Sequence, residues 1–393
     1  MARLSLTFQI TSGGSPPPPP PPPSSSSMLV YHVYDKQVLQ RDLNAIANAK
    51  QYVKISTYLL ELSNDPAKSA AYQLGQALQQ AKRNGAVIQI SFNNDALSST
   101  PRPWHSYTVD YLNNVLMLQN LTDSSSSVRS SSPSVSGYVI SNMHTKTIVT
   151  ESYLRTGSTN LNVNGYTYNL EDTIQIENPR ADQSGEGARM HDVALAYVNS
   201  YFVNKTPVKV HSNNPYINFI SGDNDIGKYW TTIISRLQKS TCQKAYFSTY
   251  TYNSSNATIQ QLVQEMIKAK KERGVDVRLV AGSSARSLAD YLNQNGVPAR
   301  TIKNTAEGGG GINHSKLVYM MDSQLGIYVV VGSQNFDGAF TGNTGITVSS
   351  TSYYDASTNT VSNNNIPTDH PAYSVLTSAL NRFNYLWNNT PSI

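Results

Sequence analysis

An internal repeat narrows the possible folds more than any other feature of this chain. Residues 52–58 form a strand-like run rich in β-branched and aromatic side chains, ending Ser56-Thr57-Tyr58. A helix is expected over 66–84: Asp65 can cap it, Pro66 suits its first position and Gly85 its C-terminal stop. A buried strand is expected at 86–90. The second half replays this order, with a strand over 245–250 that carries the same Ser248-Thr249-Tyr250. The helix expected over 258–273 places Ile259, Leu262, Val263, Met266 and Ile267 at i, i+3, i+4 spacing, so one face must be buried. Gly274 ends it, and 275–279 reads as the next strand. Strand, helix, strand implies a parallel pair joined by a crossover, hence an α/β layered fold in each half. A length of 393 residues, 39% of them hydrophobic, suits two cores better than one.

The flanks and loops set the boundaries. Eight prolines at 16–23, then serines at 24–27, read as a polyproline II rod with a flexible hinge. Residues 1–27 are therefore expected to be a disordered tether, with a first half at 28–210 and a second at 211–393. The serine-rich stretch 124–136 reads as a solvated insertion, and 180–189 as a surface loop. Residues 308–311, all glycine, read as flexibility on the approach to the second motif. The cluster Lys268, Lys270, Lys271 and Arg273 fits a solvated helix end, where positive charge is favourable.

Composition removes several function classes. One cysteine, Cys242, excludes a disulfide framework and a cysteine-rich metal site. No stretch approaches the ~20 apolar residues of a membrane span, and residues 1–14 read poorly as a secretory signal, which leaves the cytoplasm as the default compartment. The net charge of +5 suits an anionic partner.

Of seven histidines, two are followed two positions later by lysine: His144-Thr145-Lys146 and His314-Ser315-Lys316. Each precedes an apolar, strand-like run, and in extended chain residues i and i+2 share a face. Each is followed downstream by Gly-Ser-x-Asn, as Gly157-Ser158-Thr159-Asn160 and Gly332-Ser333-Gln334-Asn335. His32, His105, His191, His211 and His370 lack this pattern and read as ordinary core or surface histidines.

The doubled pattern resembles the phospholipase D superfamily, whose hallmark is His-x-Lys, four residues, Asp, then Gly-Ser-x-Asn. The resemblance implies two pseudo-symmetric α/β/α halves, each a mixed sheet flanked by helices, with one active site at their seam. It implies a phosphodiesterase with no cofactor or metal, acting on an anionic phosphodiester of lipid or nucleic acid. His144 would be the nucleophile and His314 the general acid/base. Lys146, Lys316, Asn160 and Asn335 would grip the phosphate, supported by Ser158 and Ser333. The residue types fit that chemistry: ammonium and amide donors stabilise charge that grows on phosphate oxygens, and imidazole serves as nucleophile or acid/base near neutrality. Glu171 is the candidate to fix the free ring nitrogen of His144. Asn343-Thr344-Gly345, its expected counterpart, has no carboxylate, which favours His144 over His314 as nucleophile.

The sequence departs from the hallmark at the aspartate. Seven residues after His144 stands Glu151; seven after His314 stands Met321, with Asp322 one place late. The second departure is also similar to a branch of single-strand exonucleases long classed as phospholipases. Three functions follow: a phospholipid-directed phosphodiesterase in the lead, a nuclease with the same site, or a catalytically silent protein on the same scaffold. The two halves supply a pseudo-dimer internally, so a monomer without an obligate protein partner suffices.

Overall fold

The computed structural model describes residues 27–93, 102–118, 127–130, 143–203, 208, 210–221, 223–302, 311–337, 342–351, 354–355, 360–361 and 365–390. The proline rod and residues 308–310 lie outside them. The first half runs β1 (Leu29–Tyr34), α1 (Gln37–Ala47), β2 (Tyr52–Thr57), α2 (Ser69–Arg83), β3 (Val87–Phe92), α3 (His105–Asp110) and β4 (Ser127–Ser130). It continues through β5 (Lys146–Thr150), β6 (Tyr153–Gly157), α4 (Val163–Thr167), β7 (Asp172–Glu177) and α5 (Glu186–Val203). The second half runs β8 (Ile217–Ser221), α6 (Asp223–Gln238), β9 (Cys242–Thr249), α7 (Ala257–Arg273), β10 (Asp276–Gly282), α8 (Arg286–Gln294) and β11 (Ala299–Ile302). β12 (Leu317–Asp322), β13 (Gly326–Gly332), β14 (Thr344–Ser349) and α9 (Tyr373–Asn388) complete it.

Among the described residues these strands make two seven-stranded sheets, ordered β1-β7-β6-β5-β2-β3-β4 and β11-β10-β9-β12-β13-β14-β8. Read in opposite directions the two orders correspond strand for strand. In each, the strand–helix–strand unit gives the parallel pair (β2–β3 and β9–β10), and the strand after His-x-Lys joins it antiparallel. The fold is therefore the α/β architecture expected, with one refinement. α5 and α9 contribute to a core shared by both sheets, where Val149, Ile176 and Tyr197 cluster with Leu317, Val331 and Phe383. Separate outer cores lie under α1 and α2 in the first half and under α6, α7 and α8 in the second.

Local chemistry explains where the boundaries moved. Asp65 accepts from the Ala67 amide at 2.9 Å, but it caps a short 3-10 turn at Pro66–Lys68, and α2 begins only at Ser69. Asn256 caps α7 from Ile259, and Gly274 ends it in the left-handed region at φ 69°. Part of the serine stretch corrects the expectation of a loop: Ser127–Ser130 pairs in parallel with β3. Likewise the surface reading of 180–189 fails at Glu186, which is buried at the start of α5 and meets His370. Lys268 and Lys271 are exposed as expected, while Arg273 pairs with Glu265.

The two departures from the hallmark aspartate serve the backbone. Glu151 accepts from the amides of Lys50 at 2.6 Å, Gln51 at 3.3 Å and Tyr52 at 3.4 Å, fixing the start of β2. Asp322 accepts from the amides of Gln324 and Leu325 and from the hydroxyl of Thr241, beside the start of β9. The register of β12 against β9 shifts between Met321 and Asp322. Met320 opposite Ala245 matches Thr150 opposite Val53, so Met321 takes the place of Glu151 and Asp322 lies one residue beyond, past the shift, where it ties its own turn instead. Replacing Glu151 by Ala is expected to lower stability by about 2 kcal/mol, since it strips a charged acceptor from three amides. Urea unfolding checks this; an unchanged midpoint would remove the anchoring role.

Candidate active site at the seam

Paired backbone segments carry both motifs across the junction of the halves. Met143 bridges to Gly342 and the His144 amide donates to the Gly342 carbonyl at 3.2 Å. By the same pattern Leu170 bridges to Asn313, and the His314 amide donates to the Leu170 carbonyl at 2.9 Å. Each His-x-Lys thus sits just ahead of its strand, or at its first residue, and is aligned by the opposite half.

The side chains repeat as closely as the backbone. Lys146 Nζ donates to the His144 carbonyl at 2.6 Å, and Lys316 Nζ to the His314 carbonyl at 2.6 Å. The Tyr58 ring lies 5.1 Å from that of His144, and the Tyr250 ring 5.2 Å from that of His314. Lys146 and Lys316 lie over the same two rings, at 5.2 and 5.7 Å from their centroids. Tyr58 and Tyr250 were not singled out from sequence as site residues, although the repeated Ser-Thr-Tyr that ends each strand was the available signal.

The ring partners break the symmetry and correct the expected pairing. Glu171 does not meet His144. Its carboxylate stands 3.0 Å from Nδ1 of His314, in the opposite half. His144 Nδ1 instead lies 2.9 Å from Oδ1 of Asn343. Ser158 donates to the Glu171 carboxylate and Ser333 to the Asn343 amide oxygen, so Glu171 and Asn343 are structural counterparts. Alignment of Asn343 with Asn169 fails because 13 positions separate Ser158 from Glu171 and only 10 separate Ser333 from Asn343. Helix α4 lies within the longer segment.

The unlike partners set unlike ring tautomers. Ser333 Oγ lies 2.9 Å from Asn343 Oδ1 and 3.3 Å from the Thr344 carbonyl; with Asn343 Oδ1 as the acceptor, Nδ1 of His144 would carry the ring hydrogen. Its Nε2 is left with a lone pair. Burial drives the Glu171 carboxyl up to about 7, against the pull of Lys316, Ser158 and Asn169. A protonated Glu171 donates to Nδ1 of His314, which places that ring's hydrogen on Nε2.

Both histidines are held well below the ordinary histidine range, first by burial and then by the charges of Lys146 and Lys316. Burial also lowers Lys316 to about 8, while Glu171 and Asp337 oppose it. Lys146 is lowered by burial and then by Lys316. Two buried ammonium groups thus face each other across the seam with incomplete counter-charge, and an anion placed between them relieves both. Asn160 and Asn335 are buried, and their Oδ1 atoms have no hydrogen-bond partner. Among the described residues no group of three His, Cys, Asp or Glu side chains is placed to hold a metal ion. Of the other histidines, His32 meets Asp172 and His191 the Thr150 carbonyl, as satisfied side chains do; His105 is buried with neither ring nitrogen paired.

The glycine of each Gly-Ser-x-Asn permits the strand crossing that delivers the serine. A Cβ at Gly157 would stand 2.4 Å from the Asp172 carbonyl oxygen and 2.6 Å from the Thr173 Cα. Gly157→Ala is therefore expected to cost about 1–3 kcal/mol. Chemical denaturation measures it, and a variant as stable as the parent would show that β6 and β7 need no such approach.

The sequence model described as "Cardiolipin synthase, PLD-like domain" matches residues 43–186 and 233–359, more than half of the chain. No curated protein matches significantly. Among solved structures, a phosphatidylserine synthase from Haemophilus influenzae superposes with TM-score 0.61 at 11% identity, covering 93% of this chain and 87% of that one. A polyphosphate kinase from Porphyromonas gingivalis gives TM-score 0.51 at 12% identity, covering 84% of this chain and 45% of that one. At such identities these likenesses establish the fold.

Proposed function

The chain belongs to the phospholipase D superfamily, in its cardiolipin synthase PLD-like group, and from that premise we propose a phosphodiester-transferring enzyme that works through a phosphohistidine on His144. The observation that carries the reading is the unlike partners of the two rings, Asn343 Oδ1 on Nδ1 of His144 and the Glu171 carboxyl on Nδ1 of His314, from which opposite tautomers follow. Nε2 of His144 offers a lone pair because Asn343 can only accept from Nδ1. Nε2 of His314 offers a hydrogen because Glu171 holds a proton against Nδ1. The nucleophile expected from sequence is kept, but the reason is reversed: the carboxylate marks the acid.

In the first step the His144 lone pair forms a bond to phosphorus, and the bond from phosphorus to the departing alcohol oxygen breaks. That oxygen takes the hydrogen from His314 Nε2, and Glu171 passes its proton to Nδ1. In the second step water or an acceptor alcohol gives its hydrogen to His314 Nε2, and the proton on Nδ1 returns to Glu171. Its oxygen attacks phosphorus, and the electrons of the P–N bond return to His144. Lys146, Lys316, Asn160 and Asn335 hold the non-bridging oxygens throughout, and Ser158 and Ser333 fix the two ring partners. A phospholipid is the leading substrate. The names of the matched family and of the H. influenzae neighbour, both lipid synthases, support it.

Purified protein offered a labelled phospholipid with glycerol, and separately a labelled single-stranded oligonucleotide, both with chelator, decides the substrate. Headgroup exchange or release supports the lipid reading; strand cleavage alone transfers it to nucleic acid, and no turnover of either leaves a silent scaffold. His144→Ala is expected to abolish turnover while the protein stays folded, and undiminished activity would refute the nucleophile.

The proton inventory also fixes a pH profile. The folded pKa of Glu171 lies above its ordinary value, so its proton is present below about 7 and lost as pH rises through it. The rate should fall from pH 7 upward as His314 loses its acid form. In Glu171→Gln the partner no longer titrates, so kcat should drop by roughly 10²–10³-fold. Any alkaline limb left in that variant should follow Lys316, which loses with Glu171 a charge that opposes the lowering of its own pKa. An undiminished kcat in Glu171→Gln would exclude the shared proton.

A further inference from the structure

Arg382 lies on α9, the last helix of the second half, yet it ends beside Glu171 of the first. Its guanidinium makes a two-pronged pair with Asp35, at 2.9 Å to Oδ2 and 2.6 Å to Oδ1, and donates to the Glu171 carbonyl at 3.2 Å. Asp35 Oδ1 accepts from the Glu171 amide at 3.0 Å, and the Asp35 amide donates to the Glu171 carbonyl at 3.3 Å. Both backbone polar groups of Glu171 are thus held by the Arg382–Asp35 pair. The remaining edge of the guanidinium, Nε, faces Asp172 Oδ1 at 3.3 Å, and that same oxygen meets His32 Nε2 at 2.8 Å. Ser378, one turn before Arg382, meets the other nitrogen of His32 at 3.2 Å.

Two features exceed what docking a helix requires. Asp35 is a non-glycine residue at φ 55°, a strained conformation that persists only where its surroundings impose it. The place corresponding to Asp172 in the second half is Thr344, whose hydroxyl sits among Thr145, Thr147 and Thr156. The charged clamp therefore accompanies the carboxylate partner, and neutral hydroxyls accompany the amide partner.

We propose that Arg382 is a positioning residue for the proton-holding couple: through Asp35 it fixes the Glu171 peptide so that its carboxyl stays on Nδ1 of His314. The inference rests on the reading of His314 as general acid. It makes completion of that couple depend on the seating of α9.

Nitrogen NMR of the His314 ring in the full-length protein tests the positioning independently of turnover, with the signal assigned by its loss in His314→Gln. In the parent the ring should change tautomer near pH 7, as Glu171 gives up its proton. In Arg382→Gln that change should move by about one pH unit or vanish, with kcat down roughly tenfold to a hundredfold and KM within about twofold. Added to Glu171→Gln, Arg382→Gln should cost nothing more in kcat, since both act through one carboxyl. Arg382→Lys, which keeps the charge and loses the fork, serves if the glutamine variant does not fold, and should give an intermediate shift. An unmoved His314 titration in a folded variant overturns the proposal, as do losses that multiply in the double variant. Absence of turnover in the parent with an intact titration shift would instead sink only the functional reading.

Discussion

Two lysine ammonium groups buried across one seam are the constraint on which the rest of the site depends. Burial and then Lys316 lower Lys146, and both histidines lose affinity for protons in the field of the two lysines. Such an arrangement is unfavourable in an empty, low-dielectric site unless covalent and hydrogen-bonded structure imposes it. That structure is visible. Each ammonium donates to the carbonyl of its own histidine, lies over a tyrosine ring and is partly offset by Asp337, and by Glu171 when it is ionised. The remaining positive charge is what a phosphodiester would neutralise, and a transition state with more negative charge would neutralise further.

The scaffold can hold this charge because its rigid parts lie directly behind it. Arg155 is buried beneath the first motif, where it donates to the Thr159 carbonyl at 2.6 Å and the Lys146 carbonyl at 3.4 Å. Asp42 is buried nearby, takes hydroxyls from Tyr153 and Tyr166, and faces Arg155 at 3.6 Å. Buried polar networks of this kind hold geometry because their members are costly to displace, although Arg155 Nε makes no hydrogen bond within this one.

Much of this was legible in the sequence. The doubled strand–helix–strand order led to the two mixed sheets, and the doubled His-x-Lys and Gly-Ser-x-Asn led to residues that the fold brings to one seam. What could not be read was the pairing across that seam. His314 and Glu171 are 143 positions apart and His144 and Asn343 are 199 apart, separations over which local spacing carries no information. Asn343 was further concealed by the unequal loops after the two serines, which shift the apparent alignment by three residues. Arg382 has no motif at all. Its importance comes from a helix that crosses into the other half's core, a tertiary event that helix periodicity does not encode.

The broken symmetry is what the proposed two-step displacement would demand of a duplicated fold. Two identical halves would give two identical imidazoles, both carrying hydrogen on Nε2 or both lacking it. Two lone pairs cannot protonate a departing alcohol, and two N–H groups cannot attack phosphorus. A single change of partner, carboxyl on one side and carboxamide on the other, separates the rings while leaving the fold untouched. In the proposed mechanism glutamate would change its own protonation state and so reload His314 between the steps, while asparagine, which cannot, would keep His144 available to phosphorus. On that proposal the division of labour would reside in Glu171 and Asn343 rather than in the histidines, which the repeat makes nearly equivalent.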